Sequence, residues 1–128
     1  MARLRSGSIC DGFSGFTPPV DNPPMLNLVN AGSTIPVKWS LKDASGNYFR
    51  SLSSVTSITS TAIKCPSATT DPAADTAPAG LAGFKYDLSG EQFVYNWPTL
   101  KAWKGTCRRL YIGLVGNGVL PYADFQFK

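Results

Sequence analysis

Three cysteines, Cys10, Cys65 and Cys107, are the residues of this chain best able to do chemistry, and the chemistry their setting favours is a disulfide. Cys65 closes a strand read over Ser57–Lys64, and Cys107 opens one read over Thr106–Val115. Cysteines that flank neighbouring strands can bring their Cα atoms within about 4.4–6.8 Å, as a disulfide requires. We therefore take Cys65–Cys107 as the pair, with two separate buried thiols as the alternative. Closing a loop of about 42 residues would stabilise the fold by roughly 4 kcal/mol in the chain-entropy model. Cys10 is left over. It is either a free thiol or the partner of a cysteine in another chain or in a segment outside this sequence.

Other reactive groups are sparse. The chain has no histidine and no CxxC pair, which removes the usual zinc ligand sets along with Ser-His-Asp and Cys-His catalysis. Glu91 is its one glutamate and follows a Ser-Gly turn. With only scattered aspartates around it, no pair of carboxylates is marked out for acid–base hydrolysis. No glycine-rich loop leads into a helix, so nothing cradles a phosphate. The expectation is a non-enzyme with no catalytic residue, no metal and no cofactor. Two sharper readings lose to plainer ones. Asp43-Ala44-Ser45-Gly46-Asn47 is oxygen-rich like a calcium loop, but it lacks the acidic ligand that would follow, and a tight hairpin accounts for the same residues. Lys38 and Asp124 lie on an early and on the last strand, as an intramolecular isopeptide bond with Glu91 assisting would need. Their parity turns both outward, whereas that bond requires a buried lysine, so both are read as solvated.

The elements that must position these groups are strands. Ile35, Val37, Trp39 and Leu41 alternate with Thr34, Pro36, Lys38 and Ser40, the period-two signature of a half-buried strand. Phe93, Tyr95 and Trp97 share a face, as do Leu110, Ile112 and Leu114, and then Ala123, Phe125 and Phe127. Leu26–Val29 reads as a further strand. Turns fall at Asn30-Ala31-Gly32, at Asp43–Asn47, at Ser89-Gly90 and at Gly116-Asn117-Gly118. Thr99–Lys104 has room for a single helical turn. Thr17–Pro24, with four prolines, reads as extended and outside any central ladder. Pro66–Gly80 reads as a mobile surface loop. The pattern predicts an all-β fold, an immunoglobulin-like β-sandwich of about seven to nine mostly antiparallel strands. A single domain is expected over 12–128, behind an N-terminal leader or linker over 1–11.

Bulk properties agree. The 128 residues are 43% hydrophobic and only 16% charged, a balance suited to short strands joined by turns. The net charge of +4 is scattered, without the basic face of a nucleic-acid binder, and reads as ordinary solubility charge. No apolar run reaches the length of a membrane span. The basic start at Arg3 and Arg5 has no apolar stretch behind it and is not read as a signal peptide; an export signal would lie outside this sequence.

A family resemblance adds to this. Phe13-Ser14-Gly15-Phe16, followed by Pro19-Val20-Asp21-Asn22-Pro23-Pro24, resembles the opening of the PxKF domain family. Ala31-Gly32 and then Ile35-Pro36-Val37-Lys38-Trp39-Ser40-Leu41 are similar to the segment that names it, with Trp39 in place of the usual phenylalanine. Tyr95-x-Trp97-x-Thr99-x-Lys101-Ala102-Trp103-x-Gly105-Thr106-Cys107-Arg108 and the closing Ala123-x-Phe125-x-Phe127-Lys128 continue the likeness, which spans nearly everything after Gly12. It implies a domain near the C-terminal end of a large exported bacterial protein, beside other immunoglobulin-like or adhesive modules. It also implies that Cys65 and Cys107 stand where the family's two typical cysteines fall. It transfers no catalytic residue.

The functional expectation is a structural or interaction module of an exported bacterial protein, extracellular or at the cell surface, mediating assembly or attachment. Its partners would be neighbouring domains or subunits. The competing class is a carbohydrate- or ligand-binding module, with outward rings at Tyr111 and Tyr122, and Tyr48-Phe49 beside the hairpin, able to stack on sugars. For Tyr111 and Tyr122 the plainer reading is cross-strand pairing. A third reading is a component of a viral or appendage assembly, tied through Cys10. The antibody-type inter-sheet pin is not expected, because Gly105 occupies the place of the tyrosine that accompanies it.

Overall fold

The computed structural model describes residues 13–43, 45–66, 68–79, 83–115 and 120–128. Strand β3 (Thr34–Leu41) shows how the sequence dictates the architecture: Ile35, Val37, Trp39 and Leu41 are all buried, while the residues between them face out. A strand with one apolar face must bury it against another layer. Here β1 (Phe13–Thr17), β3, β7 (Gln92–Pro98) and β6 (Phe84–Asp87) form one sheet in the order β1-β3-β7-β6. The second sheet runs β2 (Leu26–Val29), β9 (Tyr122–Phe127), β8 (Cys107–Leu114), β4 (Val55–Ile63) and β5 (Thr76–Pro78). All pairings are antiparallel except β2 with β9, which is parallel. This is a β-sandwich whose strand orders follow the two sheets of immunoglobulin domains.

Aromatic rings fill the space between the sheets. Trp39 stacks on Phe84 and Phe93 with centroids 5.9 Å away in each case, and meets Phe16 edge-on. Trp97 packs edge-on to Phe125 at 5.1 Å and against Trp103, which sits on the 3-10 turn Lys101–Trp103, the helical turn anticipated at that corner. Such contacts add to the area they bury. Where β4 bulges between Val55 and Ser57, β8 passes at Gly113, and a Cβ there would collide with Ser57 Oγ and Thr56 Oγ1. A larger residue would require those two hydroxyls to rotate away, so glycine suits the close approach.

Three local expectations are corrected. Pro66–Gly80 is not simply a loop, because Thr76–Pro78 adds to the edge of β4, with Thr61 and Thr76 hydroxyls bonded at 3.0 Å. Thr17–Pro24 is not extended but folds into turns, with Val20 N–H bonded to Thr17 C=O and Met25 N–H to Asn22 C=O. Asn22 and Asn27 lock these turns. Asn22 accepts from Phe16 N–H and donates to its C=O; Asn27 accepts from Asp21 N–H and donates to Asp21 and Asp124 carbonyls. Finally, the chain does reverse at Asp43–Asn47, yet only an isolated bridge, Lys42 to Tyr48, follows it rather than a strand. The expected leader (1–11), Cys10 and the turn at Gly116–Gly118 lie outside the described residues.

Candidate functional site

The outer surface of the five-stranded sheet collects most of the side chains singled out from the sequence. Register places Tyr111 opposite Tyr122, and Arg109 opposite Asp124, on β8 and β9. The side chains of Arg109 and Asp124 form a two-pronged ion pair, Nε to Oδ1 at 2.6 Å and Nη2 to Oδ2 at 3.0 Å. That geometry is the strong form of such a pair. Hydrogen bonding to Asp124 pushes the Arg109 pKa still further up, so its charge is permanent. The same guanidinium lies 4.0 Å from the Tyr122 ring centroid, and Tyr122 meets Tyr111 at 6.2 Å. These four residues form a single ladder of contacts across the two strands.

Asp124 is therefore not the solvated carboxylate expected from parity; its side chain keeps only 16% of its exposure. Lys38 belongs to β3 in the other sheet, so the structure does not bring the suggested isopeptide partners together. Glu91 instead lies 3.7 Å from Arg50. In the loop read against calcium, Asp43 Oδ1 accepts from the N–H groups of Ser45 and Asn47, the bonding of a turn. Among the described residues no group of three acidic or cysteine side chains is placed to hold a metal.

The remaining aromatic candidates separate. Tyr48 is exposed, with the Lys42 ammonium 4.9 Å from its ring. Phe49 is not free to stack on a ligand in the same way: it packs, half-buried, against the core, and its N–H bonds back to Leu41 C=O. On the other sheet's outer surface an open trough of about 510 Å³ is lined by Pro36, Lys38, Lys85, Asp87, Val94 and Asn96, among others. Tyr86 also lines it, but its ring is turned edge-on to Phe93 at 4.9 Å.

Cys65 and Cys107 are joined, with Cα atoms 5.3 Å apart. Since Ile63 pairs with Cys107 across β4 and β8, the bond staples neighbouring strands of one sheet and does not pin the two sheets together. Just inside it lies the residue that sequence reasoning missed. Arg108 was grouped with the solubility charges, yet it is 2% exposed. Its Nε and Nη2 donate to Ser60 Oγ and C=O, and Nη1 and Nη2 donate to Asp75 Oδ2 and C=O. The Trp103 ring lies under it at 4.3 Å. Its parity with Leu110 and Ile112 was the available signal.

Searches of protein-family models, curated proteins and solved structures found no match to this chain.

Proposed function

We propose that this chain is a non-catalytic structural and interaction module of an exported protein, mediating assembly or surface attachment. The carrying observation is the Asp124–Arg109–Tyr122–Tyr111 ladder: the groups best suited to hold a ligand are spent on one another. A sugar-binding face keeps rings and polar groups free to meet its ligand, and here the rings are braced across strands. The Cys65–Cys107 disulfide supports an oxidising compartment, extracellular or at the cell surface. Among the described residues no helix is long and apolar enough to cross a membrane. The resemblance to the PxKF family supports a place near the end of a large exported bacterial protein.

The test is a glycan screen of the oxidised protein, run beside Tyr122→Ala and Lys38→Ala. Absence of saturable binding to any polysaccharide is the expected result. Saturable binding lost in either variant would overturn the reading and establish a carbohydrate-binding module.

A further inference from the structure

The two sheets end in four edge strands, β1 and β6 on one, β2 and β5 on the other. Exposed edges are templates for pairing, and proteins blunt them with bulges, prolines, short length or charge. Three of these edges carry such devices. β1 shifts register between Phe13 and Phe16 and contains Gly15 at positive φ. β5 is three residues long and ends in Pro78, and β6 bears Lys85 and Asp87. β2 is also short, at four residues, but it carries no bulge, no proline and no charge. Its sequence Leu26-Asn27-Leu28-Val29 is uncharged, and Leu28 remains 59% exposed, preceded by Met25 at 56%.

Its backbone is open as well. Val29 C=O accepts from Lys128 N–H, and Lys128 C=O accepts from Ala31 N–H. Backbone groups alternate sides along a strand, so Asn27 and Val29 face β9 while Leu26 and Leu28 turn theirs to the free edge. Among the described residues, none bonds to those outward groups.

We propose that β2 is a self-association edge, on which a second copy of this chain pairs antiparallel about Asn27. Leu26 of one copy then lies opposite Leu28 of the other, each facing pair exchanging both backbone hydrogen bonds. Leu26 and Leu28 share the side of Asp124 and Gln126, so the leucines of two copies meet on one surface. Charge argues for this seam. Copies with net charge +4 repel, and the sequence from Asn22 to Val37 contains no ionisable side chain.

The proposal rests on the reading of the chain as an interaction module. It is tested by sedimentation equilibrium in a Cys10→Ser background, which removes any thiol-linked dimer. The parent should show a concentration-dependent dimer. Leu28→Lys should raise its dissociation constant by about tenfold or more, and Leu28→Pro, which removes an outward N–H, should weaken it too. Leu88→Lys, at an exposed site beyond β6, should leave it unchanged. A monomer at the highest soluble concentration, or a Leu28→Lys dimer as tight as the parent, would overturn the pairing. Neither result bears on the glycan screen, so the two readings fail separately.

Discussion

Arg108 and Asp75 meet at 2.7 Å, the guanidinium almost fully buried and the carboxylate 55% exposed. The pair joins the inner side of β8 to the residue before β5, and so fixes the segment that follows Cys65. Its two members are unequal. Truncating Arg108 to alanine leaves Ser60 Oγ and C=O without their donor and empties space over Trp103, at a cost of about 2–4 kcal/mol. Asp75→Ala removes a partner that water can replace in part, and should cost about 1–2 kcal/mol. Urea unfolding should rank the two variants in that order, with Arg108→Lys close to alanine because an ammonium cannot reproduce the guanidinium's four bonds.

The disulfide and this clamp grip the same segment at opposite ends. With a separation of 42 residues, replacing both Cys65 and Cys107 by alanine should lower stability by about 4 kcal/mol. Combining that change with Asp75→Ala should give a total that departs from the sum, since both act on one stretch of chain. Amide exchange in residues 68–75 reports the release locally, and exchange in the triple variant no faster than in the cysteine-free one would contradict the coupling.

Tyr95 sets an alkaline limit. Its ring is fully buried and its hydroxyl donates to Ala79 C=O at 2.7 Å. Burial raises its pKa above the ordinary value near 10. A phenol whose folded pKa exceeds its unfolded one contributes stability that is whole below the unfolded value. That contribution is lost as pH rises through the folded value. Phenolate absorbance should show one late-titrating tyrosine that disappears in Tyr95→Phe. A Tyr95→Phe protein with the same alkaline unfolding midpoint as its parent would refute this.

Asn27 is held by both ends of its amide. Asn27→Asp keeps the acceptor for Asp21 N–H but sets an anion against the carbonyls of Asp21 and Asp124. We expect a loss of about 3 kcal/mol at neutral pH, with part of it recovered on acidification as the new carboxyl becomes a donor. Thermal melts at two pH values measure it, and a pH-independent loss would be the contrary result.

What the sequence made legible follows from which side chains enforce period two. In β3, β7, β8 and β9 large apolar residues recur at alternate positions, so strand, face and partner layer could all be read. The cysteine pair was legible for the same reason, through the strand ends it flanks. Alternation fails where geometry departs from it. The irregularity in β1 puts Phe13 and Phe16 out of step, and β5 is too short to carry a pattern. Arg108 was hidden by its charge: an arginine at an inward position looks like a surface residue until Ser60 and Asp75, distant in sequence, and Trp103 on the preceding turn are seen to surround it. Asn22 and Asn27 were hidden by prolines, whose local bias suggested extension where side-chain bonds impose turns. The ladder from Asp124 to Tyr111 needed the β8–β9 register before its members could be seen to touch each other.

A peptide map of the protein made in an oxidising compartment and digested without reductant tests the staple directly. A disulfide-stapled module of an exported protein predicts one linked peptide carrying Cys65 and Cys107, present in the soluble protein before any refolding. Free thiols at both positions, or a linkage of either one to Cys10, would contradict it.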